Sequence, residues 1–274
     1  MSYKSILVSL DVDAPIYNVI RTAIHIAGCH EAKLIGLCAA DVALPLVGTE
    51  DPSLAIEVWQ ETRDNLSMRR FVQVRKEFDR LSAGFLRTEW RQGLVAATSA
   101  IVDAARVADL VIMAASDTAF PVDNYRHADS AGVVLRSGRP LLILGRTLEE
   151  IHFKKILIAW KDTREARRAV ADAVPLLREA NEVIVVAATS DIQQELHEST
   201  NDIKDFLVGH CVVARTEFIK TDDEVASLLR FIDESRADLV VAGAYGHSRL
   251  REWAFGGVTR SLLKQQELNL LISS

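Results

Sequence analysis

The 274-residue chain is short of several things, and each shortage excludes a class of protein. Cysteine occurs three times, at Cys29, Cys38 and Cys211, with no C-x-x-C pair. An odd, scattered set cannot build a disulfide framework; three buried small hydrophobes in a reducing cytoplasm are expected instead. Seven histidines are present, but His25 and His30 are five apart and no Cys/His cluster has zinc spacing, so no metal site is expected. No apolar run approaches the ~20 residues of a membrane span. Lys and Arg number 32 against 38 Asp and Glu, a net charge of −6, which lacks the basic excess of a nucleic-acid binder. Also missing are G-x-x-x-x-G-K-[ST], G-x-G-x-x-G and the G-x-S-x-G nucleophile elbow. Residues 1–4 lead straight into an apolar run with no secretory signal. A cytoplasmic protein is expected, with neither membrane nor nucleic acid as partner.

What the chain does contain, it contains twice. Residues 4–11 read KSILVSLD and residues 154–161 read KKILIAWK; residues 108–114 read ADLVIMA and residues 237–243 read ADLVVAG. The first pair is offset by 150 residues and the second by 129, so the first copy carries 21 extra residues, expected within 42–81. A charged connector lies between the copies, which predicts domains at 1–146 and 153–274. With 49% hydrophobic residues the chain can fill two cores.

Within each copy short apolar runs alternate with amphipathic segments. Strands are predicted at 6–10, 33–39, 88–90, 110–114 and 141–144, and again at 156–160, 183–188, 216–219, 239–242 and 268–272. Helical spacing of apolar residues marks 16–27, 94–106, 165–178 and 224–235. Pro175 should kink its helix or end it early. Residues 57–80 read as a solvated helix, and Asp222, Asp223 and Glu224 as an N-terminal cap. Alternating strands and helices predict an α/β fold with a parallel sheet covered on both faces. Such sheets bind ligands at the carboxyl ends of their strands.

The most informative segment follows the strand at 239–242. Four of the 13 glycines, Gly243, Gly246, Gly256 and Gly257, fall within fifteen residues. Glycine admits positive φ and close approach of backbone to a ligand. The second pair opens a predicted helix at 258–265, whose free N–H groups suit phosphate. Arg249, Arg251, Arg260 and His247 add cationic character, and Thr259 offers a hydroxyl or a cap. Tight-turn chemistry is the competing reading of the same glycines.

The spacing Gly243-x2-Gly246-x9-Gly256 resembles the ATP-binding motif of the universal stress proteins, G-x2-G-x9-G-[ST]. Nearly the whole chain follows that family's pattern. The resemblance implies two Rossmann-like domains of the adenine nucleotide alpha hydrolase-like kind, each a five-stranded parallel sheet flanked by helices. Pairing across the last strands would make an intramolecular pseudo-dimer, and a further homodimer stays open. It also implies a stress-response protein that binds ATP or another adenine nucleotide, with or without magnesium. Gly243, Gly246, Gly256, Gly257, Val258 and Thr259 would face phosphates and ribose, with Arg249 adding charge, and Ala188 would lie near adenine. Ala159, Trp160 and Lys161 close the opening strand of the second copy, where Trp160 either stacks on adenine or belongs to the core.

Two departures from the pattern matter. Gly257 stands where the family has Ser or Thr, and Lys161 where it has an acidic residue. The first copy keeps Asp11 but has Ala114, Asp117, His127 and Ala128 at the glycine positions, so it is not expected to bind nucleotide in the family manner. No catalytic residue is assigned. A nucleotide-binding module without efficient catalysis is therefore the leading expectation. A nucleotide-free scaffold or protein-interaction module of the same fold is the alternative. An adenylating or pyrophosphate-releasing enzyme is the third reading, without a catalytic constellation to support it.

Overall fold

The computed structural model describes residues 2–43, 52–115, 123–146, 152–244 and 257–274. They form two compact units, Tyr3–Ser137 and Gly138–Ser274. No helix among the described residues is long and apolar enough to cross a membrane.

The first unit runs β1 (Ser5–Ser9), α1 (Tyr17–His30), β2 (Lys33–Ala39), α2 (Pro52–Asn65), a π-helical turn (Leu66–Arg70), α3 (Phe71–Leu81), β3 (Thr88–Gly93), α4 (Ala97–Ala104), β4 (Leu110–Ala114) and α5 (Ser130–Ser137). Its strands lie in the order β3-β2-β1-β4 and pair in parallel. Ile6, Leu7 and Val8 of β1 and Leu110, Val111 and Ile112 of β4 are completely buried. That explains why these strands read as continuous apolar runs rather than alternating ones.

The second unit begins with β5 (Leu141–Leu144), followed by β6 (Lys155–Ala159), α6 (Arg164–Leu177), β7 (Glu182–Thr189), α7 (Gln194–Gly209), β8 (Ala214–Lys220), α8 (Glu224–Ser235), β9 (Leu239–Gly243), α9 (Gly257–Leu263) and β10 (Leu270–Ser273). Its order is β5-β10-β9-β6-β7-β8. β5 pairs antiparallel with β10, Leu271 opposite Leu142, and the other pairings are parallel. Each copy thus contributes five strands. The closing strand of the first copy packs into the compact unit of the second.

The repeated Ala-Asp-Leu-Val motif has a local cause. Asp109 accepts from the backbone N–H of Lys4 (2.7 Å) and Ser5 (3.0 Å), just ahead of β4. Asp238 accepts from Lys154 (2.9 Å) and Lys155 (2.7 Å) in the same place ahead of β9. In both copies a carboxylate ties the start of the opening strand to its neighbour.

Helix α8 begins where the acidic run predicts, with the Asp223 side chain accepting from the Ala226 N–H at 3.0 Å. Three expectations need correction. Residues 57–80 are not one solvated helix: α3 buries Phe71, Val74 and Phe78. Pro175 does not cut α6 short, because it sits two residues from the end and the helix runs on to Leu177. Of the cysteines only Cys38 is buried, and burial pushes its thiol up to about 12; Cys29 and Cys211 are exposed.

Candidate functional site

In the second unit the chain leaves β6 towards β7 on one side, while β9 lies on the other. Helices starting there diverge and leave a crevice at the carboxyl ends of the strands. A cavity of about 220 Å³ occupies that crevice. Ala159, Trp160 and Lys161 from the end of β6 line it, with Ala188 from the end of β7. Gly243 ends β9 on the opposite wall, and Gly257, Val258 and Thr259 open α9 beside it. These are eight of the eleven residues proposed from the sequence. Gly246, Arg249 and Gly256 lie outside the described residues, as do His247 and Arg251.

The walls also include residues that the sequence reading did not place at the site, Glu224 among them, which it read as part of a helix cap. Thr163 and Ala166 come from the start of α6, and Glu224, Val225 and Leu228 from the start of α8. Helical periodicity marked both helices, but only the strand order shows that both begin at one crevice. Val186, Leu228 and Ala242 are buried and make the deep part apolar. Charge stands at the rim, where Lys161 Nζ lies 3.4 Å from Glu224 Oε2 with both side chains substantially exposed.

Several of the proposed residues have structural duties as well. A Cβ on Gly243 would lie 2.4 Å from Ala166 N and 2.7 Å from Glu165 C. This glycine therefore lets the first turn of α6 press against the end of β9, a third cause beside phosphate and turn chemistry. Among the described residues a Cβ on Gly257 would meet only Val225 Cγ2, at 3.4 Å. Thr259 donates its hydroxyl to the Gly243 carbonyl at 3.2 Å, tying α9 to β9. Trp160 is buried, and its indole N–H donates to Ser199 Oγ on α7 at 3.4 Å.

The corresponding end of the first unit is crossed by its own charged side chains, with a cavity of about 350 Å³ among Asp13, Glu61, Arg70 and Arg126. Asp129, 129 residues before Val258, accepts from Ala131 N and Gly132 N, each at 3.0 Å, at the start of α5. A carboxylate thus takes the amides that a helix start would otherwise offer to an anion. Asp11 Oδ2 lies 2.8 Å from His127 Nδ1. Asp13 pairs with both Arg126 and Arg70, and their guanidinium groups, Arg126 foremost, hold its carboxyl below the usual range against the opposing effect of burial. Arg70 also reaches the Val12 carbonyl at 2.6 Å. Asp11, Asp13 and His127 bring potential metal-ligating atoms within 4.8 Å of one another, a grouping that sequence spacing did not reveal. The two arginines already supply positive charge to Asp13. Asp117 lies outside the described residues.

With this geometry in place, comparison with known proteins is informative. Residues 185–273 match the Universal stress protein family. That stretch runs from β7 to β10 and contains the glycine segment. A universal stress protein structure from Archaeoglobus fulgidus superposes with a TM-score of 0.72 at 12% identity, covering 98% of this chain and 96% of that one. A putative universal stress protein from Pseudomonas aeruginosa UCBPP-PA14 gives 0.61 at 17% identity, over 99% and 93%. A functionally unknown protein from Pseudomonas aeruginosa PAO1 gives 0.57 at 15%, over 99% and 92%. At such identities the likeness shows the fold, the Rossmann-like architecture of universal stress proteins running through both copies. A sequence comparison with curated proteins finds no match.

Proposed function

We propose that the protein binds ATP or a related adenine nucleotide through its second copy and acts in the cytoplasm as a stress-response protein without efficient catalysis. The observation that carries this reading is the crevice at the ends of β6, β7 and β9. It has an apolar depth, a charged rim, and on one wall Gly243, the first glycine of the motif, with Gly257, which follows its last. A flat apolar base suits the depth, and phosphates suit the rim beside Lys161 and the start of α9. The family match across 185–273 supports the same ligand class. In the first copy Asp129 occupies the counterpart helix start, which supports one nucleotide per chain.

One observation favours the nucleotide-free scaffold reading. Packing against α6 alone accounts for glycine at 243. Calorimetric titration of ATP, with and without magnesium, separates the two. Binding at one nucleotide per chain that Gly257→Asp abolishes, with an unchanged unfolding midpoint, is the expected result. The variant places a carboxylate beside the phosphates and repels them, while among the described residues its Cβ meets only Val225, at 3.4 Å. No heat and no thermal stabilisation at millimolar ATP would leave the scaffold reading in its place.

A further inference from the structure

Lys161 and Glu224 are the two charged residues lining the second unit's cavity among the described residues. Lys161 follows β6 and Glu224 opens α8, so their contact bridges two elements across the rim. At 3.4 Å, with side chains 61% and 38% exposed, the pair is long for a charge-assisted hydrogen bond and open to water. Such pairs contribute little, and their partners exchange readily. A lysine ammonium is a compact charge on a flexible stem, able to turn to a new partner without rebuilding the backbone. A phosphate monoester carries roughly −1.5 to −2 charge at neutral pH and outcompetes a single carboxylate for it.

We infer that Lys161 sets the ligand preference of this cavity: it leaves Glu224 for a ligand phosphate, and the site selects phosphorylated over unphosphorylated adenosine without a magnesium ion. The inference rests on the nucleotide reading above. Magnesium is held through oxygen ligands, commonly one or two carboxylates besides the phosphates. Among the described residues the rim offers one carboxylate, Glu224, with an ammonium 3.4 Å away that would face the metal. A magnesium-bound nucleotide brings a cation towards Lys161, whereas a free nucleotide brings its full negative charge. Free nucleotide is therefore the better ligand. Glu224 plays the opposite part, holding Lys161 in the empty cavity and repelling the incoming phosphate.

The test is a set of calorimetric titrations of adenosine, AMP and ATP into the full chain, in EDTA and in excess magnesium. The proteins are wild type, Lys161→Ala and Glu224→Gln, with thermal unfolding run alongside to confirm that each variant folds. In EDTA the wild type should bind AMP about tenfold more tightly than adenosine, the size of one charged hydrogen bond. Lys161→Ala should bring that ratio close to one, and Glu224→Gln should raise it above wild type. Rising salt should shrink the wild-type ratio, because the contact lies at an exposed rim. If nucleotides bind but the ratio is the same in Lys161→Ala, or binding requires magnesium, this assignment of Lys161 is overturned while the nucleotide reading stands. If none of the three ligands binds wild type, the nucleotide reading falls and takes this inference with it.

Discussion

Gly243 shows how a single missing methyl group positions a crevice. A Cβ there would press into the backbone of Glu165 and Ala166, which cannot swing aside as a side chain can. Gly243→Ala should therefore cost about 1–3 kcal/mol through overpacking, read as a lower urea midpoint. Gly257→Ser, whose Cβ meets only Val225 among the described residues, should leave that midpoint unchanged. Asp172 on α6 makes a pH-dependent case. Burial pushes its carboxyl above the ordinary range, against the opposing effects of the Ser273 hydroxyl, which donates to it at 2.9 Å, and of nearby Arg168 and Arg139. A carboxyl raised in the folded state destabilises once ionised, so its cost is present at neutral pH and absent below the unfolded value of about 3.9. Asp172→Asn keeps an acceptor for Ser273 and should be more stable than wild type at neutral pH. The advantage should fade as pH falls through the raised value, as a pair of denaturation series at several pH values would record.

At the scale of elements, the aspartates before β4 and β9 hold the opening strands in register. Asp238→Ala leaves the part-buried N–H of Lys155 without its acceptor, while that of Lys154 keeps the His152 carbonyl at 3.0 Å. A loss of about 1–3 kcal/mol is expected, with the same size for Asp109→Ala. Phe78 on α3 lies over Gly36 of β2, where a Cβ would come within 2.8 Å of the ring. Glycine inside a buried strand thus makes room for the aromatic that anchors the first copy's extra segment. Phe78→Ala should cost about 3–5 kcal/mol, measured by the same denaturation. Neither arrangement was visible in the sequence, although all ten strands were. Short β-branched apolar runs between polar turns carry their own signal. Contacts between residues far apart, such as Asp238 with Lys154, carry none. Helix α7 went unread because its buried stripe is thin, Ile203 and Leu207 with Thr200 in an apolar position. The crevice was legible to the extent that its residues end strands or open α9. Glu224, Val225 and Leu228 became part of it only through the strand order.

On the scale of the whole molecule, the two copies use related ends of related sheets differently. The first satisfies its helix start with Asp129 and its strand end with Arg70, Arg126 and His127. The second leaves its strand ends to a cavity with an apolar depth. The strand β5 is divided differently by the sequence and by the fold. By sequence it closes the first copy, yet it folds as a strand of the compact unit that holds the second, hydrogen-bonded along β10. A fragment cut at the sequence repeat, residues 153–274, would leave Leu270, Leu271 and Ile272 on a bare strand edge, and such edges recruit other chains. It should self-associate in light scattering. The segment that was duplicated and the segment that folds together are then not the same length of chain. The closing strand of the second copy is thus covered along one edge by a strand that the sequence assigns to the first.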